Sequence, residues 1–274
     1  MSMEKKYEIA GIWIDNLFYN EILEKIDDLI TNNNKGYIVT VNPEMILNAQ
    51  CDNKFLDILK KAEIRTADGI GILWAVNYVY NPYPKSGIGK FATLLKSLFD
   101  ILLNPKKTRS LLKERITGSD MLPKIINYSQ NKNWRIFLLG ASDGIAEIAK
   151  QNFLIKYPKA QFVGCYAGSP DSEFDKNICN YINKTKPDII FVAYGSPKQE
   201  YWISRNLPNL HNVKLAIGVG GAFDFYAGKI NRAPKLIQKI GLEWLWRLIL
   251  EPKRIFRIWN ATYVFIKFIT KQKN

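Results

Sequence analysis

Asp68 is the carboxylate of this chain best placed to take a proton from a substrate. It stands in EIRTADGIGI, just past a short strand-like run, beside Gly69, which permits close backbone approach. An Asx turn or a helix cap fits the same residues. Scarcity weighs for chemistry: the one histidine, His211, falls in the polar stretch PNLHNV, which argues against a histidine-based mechanism. Thr40 and Asn42 lie two apart at the end of GYIVTVN, so they share one face of an extended strand. Both can donate and accept hydrogen bonds. Turn residues ahead of Pro43 are the competing assignment, and the residues alone leave the two level.

Anion-binding signals recur at three strand ends. LLGASDGIAEIA (138–149) reads as a strand, a turn carrying Gly140 and a helix start, whose free amides suit phosphate. AYGSPKQE (193–200) is a second such turn, with Gly195, Pro197 at N1 and Lys198, Gln199 and Glu200 in the first turn. Lys198 there runs against the helix dipole, which points to an anion nearby. GVGGAFDFYAG (218–228) carries Gly220, Gly221 and Asp224, and fits backbone packing as well as ligand contact. No G-x-G-x-x-G and no Walker lysine occurs, which disfavours NAD and NTPase chemistry. No D-x-D follows an apolar strand; Asp171-Ser172-Glu173 lies in a polar loop and fits a helix start. A nucleotide-sugar leaving group would then be stabilised without a cofactor or protein-held metal, by arginines such as Arg115 and those of the tail.

These residues need a scaffold, and the sequence supplies its elements. Short β-branched or apolar runs cover 36–42, 134–140, 160–167, 187–195 and 213–221. Amphipathic stretches lie between them at 20–31, 43–62, 119–132, 144–157, 172–185 and 197–206. The alternation predicts an α/β fold: a single Rossmann-like domain with a mostly parallel sheet covered by helices and ligands at the strands' carboxyl ends. The core is expected over 1–228, with an inserted basic amphipathic segment at 76–114 and a helical, membrane-docking appendage at 229–274.

Charge is unevenly placed. The net charge is +14, of which the tail from Lys229 contributes +9 and the segment Lys85–Arg115 contributes +6. A near-neutral body with two basic segments points to a polyanionic partner. Nucleic acid is disfavoured because no recognition motif accompanies the charge. Cys51, Cys165 and Cys179 are odd in number and widely spaced, as in a reducing compartment. MSMEKKYEIAGIWID lacks an apolar run after its charges and is not expected to be a signal peptide.

FATLLKSLFDILL (91–103) has helical apolar spacing through Phe91, Leu94, Leu95, Leu98, Ile101 and Leu102, widened by Phe99 and Leu103. Thirteen residues span about 20 Å, too short for a bilayer core of roughly 30 Å. Packing on the body and contact with a membrane are balanced for this helix. In the tail, Trp244, Trp246, Phe256, Trp259, Tyr263, Phe265 and Phe268 interleave with Arg247, Lys253, Arg254, Arg257, Lys267, Lys271 and Lys273. Aromatics with Lys and Arg are the composition of an interfacial anchor. Pro252 divides the tail into two helices. Packing against the body explains the apolar residues but not the charge; a second copy of the chain could also cover them.

Together, TVNPEM (40–45), ADGIGILWA (67–75), RITGSDMLP (115–123), FLLGASDGIAE (137–147), AYGSPKQEYWI (193–203) and IGVGGAFDFYAGKINRAPKLIQKIGLEWLWRLILEPKR (217–254) resemble the WecG/TagA/CpsF family of bacterial glycosyltransferases. The resemblance implies inverting, metal-independent transfer of an N-acetylmannosamine-type sugar from a UDP donor to undecaprenyl-diphosphate-linked N-acetylglucosamine. That places the protein in teichoic acid, common-antigen or capsule synthesis, in the cytoplasm and peripheral on the inner membrane face. It makes Asp68 the base with Thr40 and Asn42 beside it, puts Arg115 on the donor diphosphate and Gln199 in the donor pocket, and folds Arg247, Arg254 and Arg257 over the site. The roughly 40 residues from Val76 to Glu114 depart from the short linker usual in the family. Two other function classes compete. A catalytically inactive membrane- or polyanion-binding module of the same fold is disfavoured by the intact Asp68, Thr40, Asn42, Arg115 and Gln199. A nucleotide-dependent oxidoreductase lacks its fingerprint.

Overall fold

The computed structural model describes residues 6–81, 87–104, 108 and 110–272. Lys85, Lys106, Lys107, Arg109 and Lys273 of the basic segments lie outside the described residues, as do the side chains of Leu102 and Leu103. The chain opens with an antiparallel hairpin, β1 (Lys6–Ile9) and β2 (Ile12–Asp15), which the periodicity did not signal. Helix α1 (Tyr19–Thr31) follows. Then come β3 (Gly36–Val41), α2 (Pro43–Cys51), α3 (Asn53–Lys61), β4 (Ile64–Ala67), α4 (Ile70–Tyr80) and the inserted α5 (Gly87–Leu103).

The stretch read as one helix over 43–62 is two. Asp52 takes an extended backbone and caps α3 by accepting from the Phe55 N–H at 3.0 Å, which ends α2 one residue earlier. The second half runs α6 (Gly118–Ser129), β5 (Arg135–Gly140), α7 (Ile145–Lys156), β6 (Gln161–Tyr166), α8 (Asp175–Thr185), β7 (Ile189–Ala193), α9 (Lys198–Asn206) and β8 (Leu215–Gly218). Helix α10 (Ala222–Tyr226) follows β8, and the tail forms α11 (Lys235–Ile240), α12 (Glu243–Leu250), α13 (Ile255–Trp259), a π turn (Asn260–Val264) and α14 (Phe265–Gln272). As expected, Pro252 separates α12 from α13, opening a short 3-10 turn between them.

Six strands form one parallel sheet in the order β4-β3-β8-β7-β5-β6. β3 and β7 are buried along their whole length, which is why their sequences read as continuous apolar runs. Two hydrophobic cores cover the sheet, one under α1, α6, α7 and α10, the other under the hairpin, α2, α3, α4, α8 and α9. Phe265 and Ile269 of α14 belong to the second core, so the end of the chain is built into the body. The connection from β5 leads outward to β6, whereas that from β7 leads the opposite way to β8. The carboxyl ends of β5 and β7 therefore flank the topological switch point, where open α/β sheets take ligands. Among the described residues no helix is long and apolar enough to cross a membrane.

Candidate active site

Two parallel strand ends carry the predicted catalytic residues. Thr40 pairs with Thr66 and Val41 with Ala67 across β3 and β4, and the Asp68 N–H donates to the Val41 carbonyl at 2.8 Å. Asp68 is thereby held at the lip of the sheet. Thr40 is buried, and a side chain at Gly118 would begin 3.5 Å from its hydroxyl, so the N-terminus of α6 lies against it. Asn42 caps α2, its Oδ1 accepting from the Met45 N–H at 3.0 Å, which realises the turn assignment for its carbonyl.

The environment of Asp68 suits a base. Burial pushes its carboxyl up to about 7, Glu243 and Asp120 add to the rise, and Arg115 and Arg232 oppose it. These four residues form one ion-pair chain. Arg232 bonds Asp120 at 2.6 Å and Glu243 at 3.0 Å, and Glu243 lies 3.9 Å from Arg115. Arg232 and Glu243 were not singled out in the sequence. They lie inside the RAP and GLEW stretches, but nothing local in either signals that they meet Asp120 and Arg115 through space. Gly241 allows the approach: it ends α11 with a φ of +82°, and a side chain there would begin 2.9 Å from Cβ of Ile70. The tail thus packs down on the residues that come after Asp68. Arg115, Asp120 and Arg232 also line a groove of about 360 Å³ with Tyr19, Lys124 and Tyr226, a volume within the range of small-ligand sites.

The predicted donor side gathers at β5, β7 and β8. Gly140 has a φ of +102°, and any side chain would strike the backbone of Ala193 at 2.8 Å; its role is the close approach of β5 to β7. Among the described residues, chain neighbours aside, no atom stands within 4 Å of where a side chain would begin at Gly195 or Gly220. Pro197, expected at N1, is instead the N-cap residue after a cis bond from Ser196, so Lys198 opens α9 and is exposed. Asp224 lies in the first turn of α10 and pairs with Lys229 at 3.5 Å.

Gln199 is 4% exposed, beneath the loop after β8. Its Oε1 accepts from the Gly220 N–H at 2.9 Å, and its Nε2 donates to Glu200 Oε1 at 2.7 Å. One end of the amide thus holds the loop and the other is committed to its neighbour on α9. Glu200 is fully buried as well, and burial raises its pKa against the lowering pull of the Gln199 bond.

The three tail arginines that the resemblance singles out each pair with a carboxylate. Arg247 stacks over Phe225 at 4.7 Å and crowds Gly221, where a side chain would begin 2.8 Å from its guanidinium. Glu251 bonds both Arg247 at 2.7 Å and Arg254 at 2.9 Å. Arg257 grips Glu44, in the first turn of α2, at 2.6 Å. Arg247 and Arg254 share the one carboxylate of Glu251, which leaves positive charge, and Arg247 sets its guanidinium beside Gly221 in the loop after β8. Asp171 precedes a short 3-10 turn at Ser172–Phe174, and among the described residues no group of three His, Cys, Asp or Glu side chains is placed to hold a metal.

Sequence comparison agrees in one direction. The model of the family described as "Glycosyl transferase WecG/TagA/CpsF family" matches residues 7–100 and 101–274. Curated relatives include N-acetylglucosaminyldiphosphoundecaprenol N-acetyl-beta-D-mannosaminyltransferases from Staphylococcus aureus strains MRSA252, NCTC 8325 / PS 47 and COL. Each is 29% identical over 270 residues, covering 98% of this chain and 93% of the relative.

Proposed function

Since the chain belongs to the WecG/TagA/CpsF glycosyltransferase family, we propose that it moves an N-acetylmannosamine-type sugar from a UDP donor onto undecaprenyl-diphosphate-linked N-acetylglucosamine. The acceptor and sugar follow from the names of the relatives that match nearly its whole length. The feature that carries the chemistry is Asp68 at the lip of the sheet, its carboxyl raised to about 7 by burial while Arg115 and Arg232 oppose the rise. A base with that pKa is matched to neutral pH.

In this proposal Asp68 takes the proton of the acceptor hydroxyl while that oxygen bonds to the anomeric carbon of the donor sugar. The bond from the carbon to the UDP oxygen breaks, and its electron pair leaves with the diphosphate. Attack opposite the leaving group inverts the configuration at that carbon. Arg115, Arg247, Arg254 and Arg257 offset the charge that develops on the diphosphate, so no protein-held metal is required. Thr40 and Asn42 orient the acceptor, while Gly140, Gly195, Lys198, Gly220, Gly221 and Asp224 frame the donor. Gln199 sets the Gly220 backbone from beneath.

The protein would act peripherally on the cytoplasmic face of the membrane, with the aromatic, basic tail lying on the lipid. Its acceptor carries a long lipid, and Phe256, Trp259 and Tyr263 are exposed alongside the tail arginines. The test is a screen of UDP-sugars against a short-chain lipid-diphosphate acceptor in the presence of a chelator. Transfer from UDP-N-acetylmannosamine with release of UDP is expected. Transfer only from another UDP-sugar would overturn the donor assignment, and dependence on a divalent cation would overturn the metal-free chemistry.

A further inference from the structure

Helix α5 buries one apolar face and leaves a second in water. Leu94, Leu98 and Ile101 pack against the core. Between them Ser97 is buried, its Oγ accepting from Trp74 Nε1 at 3.0 Å and donating to the Leu94 carbonyl. The helix is therefore seated on α4. On its other side Phe91 and Phe99 are each 62% exposed and Leu95 is 41% exposed. These residues recur at i, i+4 and i+8, one continuous stripe along the helix.

Two observations say what covers the stripe. First, Trp74 is shared: it holds Ser97 on one side and meets the Phe265 ring of α14 at 6.5 Å on the other. Helix α5 and the terminal helix therefore flank the same seat on α4. The turns leading into α14 expose Trp259, paired with Tyr263 at 4.7 Å, and Phe256, 79% exposed. Second, both elements are embedded in basic sequence: α5 carries Lys90 and Lys96 against Asp100 and is followed directly by Lys106, Lys107 and Arg109, and the tail is +9 from Lys229 onward. A second copy of the chain would set these charges against each other, whereas an anionic lipid surface complements them.

We infer that α5 is a second membrane-inserting element, pressing Phe91, Leu95 and Phe99 into the headgroup–acyl boundary of an anionic bilayer beside the tail. At 17 residues the helix is about 25 Å long, so it lies in the plane of the membrane and does not cross it. The inference rests on the membrane-facing part of the proposed function and is independent of the sugar transferred. With two anchoring elements the orientation of the body is fixed, which a single anchor would leave free to rotate.

The test is flotation of the full-length protein with vesicles of phosphatidylglycerol and phosphatidylcholine, and with phosphatidylcholine alone. Phe91→Ser/Phe99→Ser removes the stripe without touching the buried face, and Phe256→Ser/Trp259→Ser serves as the tail control. The α5 variant is expected to lose at least tenfold in partitioning onto the anionic vesicles, with unchanged melting temperature and unchanged turnover of a short-chain soluble acceptor. In the otherwise intact protein, Phe91→Trp should show a blue-shifted emission component on the same vesicles. Wild-type-like partitioning of the α5 variant, with loss confined to the tail control, would overturn the inference while leaving the proposed membrane location standing. Absence of vesicle binding by the wild-type protein would overturn both. A self-association measured by sedimentation and abolished by the α5 variant, with lipid binding unchanged, would assign the stripe to a second copy and overturn the inference alone.

Discussion

Replacing Asp68 by Asn should stabilise the protein while abolishing transfer, and the stabilisation should depend on pH in a stated way. Burial raises the carboxyl from 3.8 to about 7 in the folded state, so the folded protein binds its proton more tightly than the unfolded chain does. Below the unfolded value both states are protonated and the residue costs nothing. As pH rises from 3.8 toward 7, only the unfolded state gives up its proton freely, and stability falls across that window. Each pKa step of one corresponds to about 1.4 kcal/mol, so the loss above pH 7 is at most about 4 kcal/mol. With partial solvation of the half-buried side chain, about 2–4 kcal/mol is expected. Asparagine carries no charge and avoids this loss. Denaturant melts of Asp68→Asn and wild type from pH 4 to pH 8 should therefore coincide at the acid end and diverge toward neutrality. In thermal scans this amounts to several degrees, at about 2–4 °C per kcal/mol for a domain somewhat smaller than this one. UDP binding should survive and transfer should not. A stability difference that stays flat from pH 4 to pH 8 would refute the raised pKa, and undiminished transfer would refute the role of base.

The remaining predictions concern the groups around that carboxyl and the element that covers it. Glu243→Gln removes a charge that raises the Asp68 pKa, so the acid limb of the kcat/KM–pH profile should move to lower pH; an unmoved limb would break the electrostatic link. Gln199→Leu strips the Gly220 N–H of its partner, which should cost about 1–3 kcal/mol of stability and raise KM for the UDP-sugar more than it lowers kcat. Truncation after Leu242 should abolish activity and vesicle binding together, but it also removes Phe265 and Ile269 from the core. The loss of Phe265 alone, measured as Phe265→Ala in denaturant melts, should cost about 3–5 kcal/mol.

The strands were legible because a covered parallel sheet needs uninterrupted apolar runs, and β3, β5, β7 and β8 show them in isolation. The family was legible because glycine turns and charged motifs recur in fixed order along the chain. Local sequence failed where two structures have similar periodicity. The 43–62 stretch reads as one amphipathic helix until Asp52 caps its second half, and the 6–15 hairpin is too short for its alternation to stand out. The balance drawn for the inserted helix, packing or membrane, resolves into a helix with an inner face and an outer one, because a cylinder can present two apolar stripes.

By itself the sequence determined the fold class, the carboxylate at the end of β4 and the surplus of arginine in the tail. Only the tertiary structure decided how those charges are used. Arg257 and Glu44 are 213 residues apart, and Arg115 and Asp120 meet Arg232 and Glu243 from two segments more than a hundred residues apart. Periodicity reports on the few residues that share one element, whereas the free energy of a charge depends on what the whole fold brings within a few ångströms of it. The raised pKa of Asp68 is therefore a property of the folded tail and sheet together.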